Sequence, residues 1–419
     1  MKPSGRATLR RILPAAVVAV LFASAAVLYA TGRRDVSDAI LHSVGVLPFD
    51  FPFLDTDTFM SAVRCLKDGV DVFESNPCDP LRRLFDYSPL WLLLAKLPVT
   101  AAWTTPVGIV VDLMFIASLL LLPVGRTASA TGLIVLGAMG SSVLFALERA
   151  NNDLVLFALV AVAAALACRT PALRIAGYAA ALLAGLLKYY PMTVMALATR
   201  ERPARFLAVA AGSAAVVALF LVTMGDDLKR ALHLIPVGSL YGDMFGWSSF
   251  AGGFARQMDW PDGAATAIQA VLTVAAFGIG VVLGLRPSTG QALDRLTDPE
   301  RMALFAGSLL IVSCYFTAQN IGYRAVHLLL TLPALTALWQ ARAGRLWTVT
   351  MALVIALLWT QAWRYWIPLQ ARPGTITGWA IREALWWSTI PILIAIVTSL
   401  LTRSEMGRWV ATRGRAHRV

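Results

Sequence analysis

From about residue 12 to residue 402 the chain is a succession of apolar runs, most long enough to cross roughly 30 Å of hydrocarbon as an α-helix, with polar joints between them. A backbone buried in lipid must satisfy its own N–H and C=O groups, so such runs are expected to be helical. No sizeable soluble stretch is left over. With 58% hydrophobic and 14% charged residues, the chain has too little polar surface for a soluble globule, whose charged share is roughly 25%. The expected fold is all-α: one polytopic membrane unit over residues 1–419, with about 12 transmembrane helices.

The net charge of +12 does not point to nucleic acid, because the basic residues sit in short clusters at the ends of apolar runs rather than in one stripe. Clusters of that kind set orientation, cytoplasmic side positive. "MKPSGRATLRR" before the first run and "RSEMGRWVATRGRAHRV" after the last put both termini in the cytoplasm. The first apolar run is too long for the core of a cleaved signal peptide, so it is read as retained. With "GRTAS", "CRTPALR", "TRERPAR", residues 286–301 and "QARAGR" also inside, spans fall near 12–31, 103–124, 131–147, 153–168, 172–188, 190–199, 205–224, 264–285, 302–318, 323–340, 345–363 and 384–402. The piece 190–199 is short for a crossing, and "YSPLWLLLAKLP" (87–98) is read as a re-entrant or interfacial helix.

This orientation gathers the polar motifs at one mouth of the molecule. "DTDTF", "ERANND" (148–153), "KYY" (188–190), "AQNIGYR" (318–324) and the outer loops at 32–86, 225–263 and 364–383 all fall on the extracytoplasmic side. A transporter would more naturally hold its ionisable groups near the midplane. Chemistry at an outer surface is therefore expected. Cys65 and Cys78 share the first outer loop, where a disulfide is permitted, but spacing alone leaves free thiols open. No CxxC or HxxxH spacing suggests a metal.

In "FPFLDTDTFMSAVRCLKDGVDVF" (51–73) a helix is expected to start at Thr56 or Asp57 and stop at Gly69, lying on the membrane surface with Phe59, Ala62, Val63 and Leu66 on its apolar side. Asp57 then serves as its N-cap and Asp68 is solvated. Asp55 has no such duty. Expected before the helix, on a short connection beside the apolar Phe53 and Leu54, it is the candidate base, with Asp57 as alternate.

The succession Asp55, Phe59, Gly69, Asp71, Phe73 and then "YSPLW" from Tyr87 resembles the first loop of the GT-C membrane glycosyltransferases, nearest to the polyprenol-phosphate-mannose-dependent α-mannosyltransferases. "ERANNDLVLF" (148–157) and "LLKYYPM" (186–192) are similar to later motifs of that branch, in the same order. Phe59, Ser88 and Glu148 depart from residues common in the family, which bears on the sugar and acceptor. The resemblance implies transfer of a hexose, mannose favoured, from a polyprenyl-phosphate-sugar to a lipid or glycan acceptor. The site would face outward from a bacterial inner membrane, with an Asp general base and inversion at the anomeric carbon. It implies no cofactor beyond the lipid-linked donor and leaves a divalent metal open.

Asp55 is the position that matches the family's catalytic aspartate. Lys188, Arg324 and His327 are candidates for the donor's phosphate, the last two on one helix face at i, i+3. Lys188 could equally anchor a span end, and His327 could be a packing residue. Glu148, Asn151, Asn152 and Tyr87 are candidates for sugar or acceptor contacts, although the first three could simply cap the next helix and pair locally. The competing readings are a transporter or flippase of lipid-linked sugars, for which no internal repeat speaks, and a glycan ligase or polymerase.

Overall fold

The structure, a computed structural model, describes residues 5–235, 244–317, 319–366 and 371–416. Helices account for nearly all of it. In chain order they are α1 (Gly5–Ala30), α2 (Arg34–Ser43), α3 (Leu54–Lys67), α4 (Thr104–Ser118), α5 (Ala128–Ala138), α6 (Ser141–Arg149), α7 (Asn152–Ala167), α8 (Pro171–Leu187) and α9 (Pro203–His233). The second half holds α10 (Trp247–Gln257), α11 (Asp262–Leu285), α12 (Pro287–Asp294), α13 (Asp298–Thr317), α14 (Leu332–Gln340), α15 (Arg345–Leu358), α16 (Thr360–Trp366), α17 (Ala371–Thr402) and α18 (Glu405–Ala416). Strands β1 (Met244–Phe245) and β2 (Asn320–Ile321) form one short antiparallel pair.

Six helices are long and apolar enough to cross a membrane, or eight if each of two bent pairs counts as one span. The twelve crossings expected from the sequence are not reached on that measure. α7 and α8, of 16 and 17 residues, are shorter apolar helices. Residues 190–200 and 322–330 form 3-10 helices, the second running on into α14. The centre is built from α7, α13, the 322–330 turn and α14, while α9 and α11 expose apolar flanks such as Val222, Val271 and Val274. Lipid is the natural cover for those flanks.

The two bent pairs solve their backbone problem together. α5 and α6 meet at 46° around Gly140, and α15 and α16 at 73° around Trp359. Each break frees carbonyls that lipid cannot satisfy. Trp359 Nε1 donates to the Leu136 carbonyl at 2.9 Å, and the Ala362 N–H donates to Ser141 Oγ at 3.1 Å. A Cβ on Gly140 would lie 2.7 Å from the Leu358 carbonyl oxygen, so only glycine lets the breaks nest.

The first outer loop differs from expectation. α3 begins at Leu54, with Phe53 as its N-cap at φ +66°, so Asp55 is the second helical residue rather than part of a connection. Asp57 lies inside the first turn and is not the N-cap. Nor is α3 a surface amphipath: Thr56 through Val63 are all buried, under the 3-10 helix 89–96 and against α4, with Phe59 stacked on Trp91 at 4.8 Å between ring centroids. Cys65 and Cys78 are joined in a disulfide with Cα atoms 5.7 Å apart.

The two late outer loops are also more helical than expected. α9 runs on to His233, α10 and the start of α11 occupy much of 244–263, and α17 already begins at Ala371. Residues 236–243 and 367–370 of those loops lie outside the described residues. The extended α9 reaches the first loop, where Arg230 pairs with Asp71 at 2.5 Å and covers the Phe73 ring at 4.6 Å. Phe245 stacks on Trp386 at 4.2 Å between centroids and is buried there, as a packing aromatic.

Candidate active site

Two strained turns bring the first loop and the α6–α7 joint together. Phe53 and Ala150 both adopt left-handed backbone, at φ +66° and +41°, a conformation that costs side-chain-bearing residues about 1–3 kcal/mol. Ala150 reverses the chain so that its carbonyl accepts from Thr56 Oγ1 at 2.8 Å and Asn151 caps α7, accepting from the Asp153 N–H at 2.8 Å. Phe53 starts α3 with Asp55 turned toward that cap. The meeting point is one hydrogen bond: Asn151 Nδ2 donates to Asp55 Oδ2 at 2.6 Å.

Asp55 is 12% exposed, with Arg83 Nη1 4.0 Å away; Arg83 is held in turn by Asp79, its Nη2 donating at 2.7 Å. Burial pushes the Asp55 carboxyl above the usual carboxylate range, against the lowering effect of the Asn151 hydrogen bond and of Arg149, Arg83 and Lys188. Asp57 differs in kind. Its Oδ1 accepts from Thr104 Oγ1 at 2.8 Å and lies 3.6 Å from Arg64 Nη1, so it ties α3 to α4.

Lys188, Arg324 and His327 come together, and what gathers them is Asp153. Its carboxylate accepts from Lys188 Nζ at 2.8 Å and from the Tyr190 hydroxyl. Arg324 Nε lies 3.3 Å and His327 Nε2 3.4 Å from it, and His327 Nε2 is 2.9 Å from the Tyr190 oxygen. Arg324 and His327 share a face because the 322–330 segment is a 3-10 helix, in which i and i+3 eclipse. Asp153 and His327 are fully buried, whereas Lys188 and Arg324 retain 14% and 18% exposure. Tyr190 is therefore a buried member of the cluster.

Adjacent asparagines couple the two centres. Asn151 holds Asp55, and Asn152 Oδ1 accepts from Lys188 Nζ at 3.1 Å. Two of the residues expected at the sugar or acceptor are engaged within the protein. Asn151 has both ends of its amide engaged inside the protein. Glu148 likewise accepts from the Phe49 N–H at 2.9 Å and pairs with Arg149 at 2.8 Å, which clamps α6 to the chain before α3.

Tyr87 stays half-buried on the Asp55 side, and three residues missed in the sequence join it. Asp86 is half-buried; burial raises its carboxyl against the lowering charges of Lys188, Arg324 and Arg83. Tyr323 is within the electrostatic reach of Asp55, Asp153 and Asp86. Arg83 completes the ring. Asp86 adjoins the quoted "YSPLW", but no local pattern marks it or Arg83. Among the described residues no group of three or more His, Cys, Asp or Glu side chains is placed to hold a metal.

No family model, no curated protein and no solved structure matches the chain.

Proposed function

We propose that the protein is a GT-C-type glycosyltransferase that moves a hexose, mannose favoured, from a polyprenyl-phosphate-sugar to a lipid or glycan acceptor at the outer face of a bacterial inner membrane. One observation carries this reading: a nearly buried carboxylate with raised basicity, Asp55, stands one asparagine pair away from a cation cluster with surplus positive charge. Lys188 and Arg324 bring two basic groups, and Asp153 balances one of them.

In the proposed step Asp55 takes the proton of the acceptor hydroxyl as its oxygen bonds to the anomeric carbon. The bond from that carbon to the phosphate oxygen breaks, and its electron pair leaves with the polyprenyl phosphate. Attack opposite the leaving group inverts the anomer. Lys188 and Arg324, the exposed members of the cluster, face the departing phosphate, and stabilising that charge lowers the barrier. His327 acts through Asp153, which it helps to fix. Arg83 and Tyr87 border the acceptor side. A count near twelve crossings belongs to this reading and is reached only when α7, α8 and the segments 190–200 and 322–340 are added to the longer spans.

The test is transfer itself. Membranes containing the full chain, given radiolabelled polyprenyl-phosphate mannose, should incorporate label into lipid or glycan, and Asp55→Asn membranes with equal protein should not. Label carried across vesicles without any transfer would favour the transport reading instead.

A further inference from the structure

At the other end of α8 and α13 from the Asp153 cluster lies a cavity of about 350 Å³, walled by the starts of those two helices, the end of the 190–200 turn, α12 and the α17–α18 joint. Arg174 on its wall and Lys188 lie on one helix axis, fourteen residues apart, or about 21 Å. That separation approaches the depth of a hydrocarbon core.

The charged lining is Arg174, Arg200, Arg301, Arg403 and Arg408 against Asp294, Asp298 and Glu405, five cations to three carboxylates. Local ion pairs use only part of the guanidinium donors. Arg200 binds Asp298 at 3.0 Å, Arg403 binds Asp294 at 2.6 Å and Arg408 pairs with Glu405, while Arg301 stays 3.8 Å from Asp298; Arg174 turns its Nη1 to Glu201, at 3.0 Å. Arg200, which also lies near the Cys168 thiol, keeps its Nη1 buried without an acceptor among the described residues, as Arg174 does its Nε. A buried donor without an acceptor is costly, and phosphate oxygens match guanidinium forks.

The remaining wall decides between a free phosphate and a lipid. Leu197, Met302, Phe305 and Leu400 give the lining an apolar side, of which Met302 on α13 and Leu400 on α17 remain partly exposed. α18, which contributes Arg408, carries exposed Val410 beside Trp409, whose ring is covered by Arg413 at 4.2 Å. An apolar edge with a basic face is the composition of a helix lying in the interface. We propose that this cavity holds the phosphate of an anionic phospholipid headgroup, with its acyl chains along the apolar wall, at the membrane face opposite Asp55. Basic pockets between membrane helices take such headgroups.

Delipidated full-length protein in neutral detergent provides the test. Phosphatidylglycerol should raise the melting temperature by several degrees, and phosphatidylcholine or inorganic phosphate should not. Arg301→Gln combined with Arg403→Gln should remove at least half of that shift. An equal shift with phosphatidylcholine, a full shift with inorganic phosphate alone, or an undiminished shift in the double variant would each overturn the proposal. Should the variant fail to fold, a photoactivatable phosphatidylglycerol on the unaltered protein decides. Cross-links within 286–305 or 397–412 support the site, and cross-links confined elsewhere refute it.

Discussion

At the scale of single residues, the chemistry rests on two carboxylates that look alike in sequence and differ in surroundings. Asp55 is held by an amide, which leaves it able to accept a proton, whereas Asp57 is spent on Thr104 and Arg64. Asp55→Asn should lower transfer by more than about 100-fold, while Asp57→Asn should mainly weaken the α3–α4 tie and lower the melting temperature. The raised Asp55 titration adds a pH signature. Between the ordinary carboxylate value and the raised one, the folded state keeps a proton that the unfolded chain releases, so this contribution to stability is full below that window and lost as pH rises through it. Transfer, which needs the ionised base, should rise over the same interval. Melting curves against pH should slope less in Asp55→Asn than in the wild type; equal slopes would detach the titration from Asp55. At the cation cluster, Lys188→Ala or Arg324→Ala should cost about 2–4 kcal/mol of transition-state stabilisation, seen in kcat/KM with acceptor affinity little changed. Arg324→Lys should recover only part, because an ammonium cannot keep both Asn320 and a phosphate oxygen in a guanidinium's planar fork.

At the scale of elements, α3 is aimed by its N-cap and by the helix it lies on. A Cβ on Gly108 of α4 would stand 2.4 Å from a ring carbon of Phe53, so Gly108 provides the slot that keeps Phe53 in its left-handed turn. Gly108→Ala must displace that ring, at about 1–3 kcal/mol of stability. The displacement also swings Asp55, two residues along. Turnover per folded molecule should therefore fall by more than the loss of folded protein explains, as measured by transfer assays normalised to a folded fraction from melting. A variant that is destabilised but turns over normally would show that the Phe53 turn does not position the base.

For the whole molecule, both chemically distinctive regions sit at opposite ends of the same helices, which makes orientation testable. Gln257, before α11, and Ser288, after it, are both exposed and are separated by a 24-residue helix. In a Cys168→Ser background, Gln257→Cys should react with a membrane-impermeant thiol reagent from outside intact cells and Ser288→Cys should not. Labelling of Ser288→Cys alone would turn the molecule over and put Asp55 on the cytoplasmic side.

The sequence by itself determined the solvent and the class of fold. Apolar runs of bilayer length can be satisfied only by helices, and each basic cluster falls at a run's end, so polytopic helical architecture was legible before any contact was known. It also marked Asp55 and the separated Lys188, Arg324 and His327, because an ionisable group at the end of an apolar run is conspicuous. Only the tertiary structure decided what these groups touch. Asp153 ends the motif "ERANND" with nothing local to name its partners, yet it collects three residues from two distant turns, 35, 171 and 174 positions away. The burial of α3 could not be read from its own pattern, since its cover comes from the disulfide-closed loop, the 89–96 turn and α4. The basic cavity, too, draws its arginines from five separate elements or joints. Periodicity and run length are local properties that the chain carries in order. The pairing of a buried charge is set by whichever segment packs against it, and that choice belongs to the assembled fold.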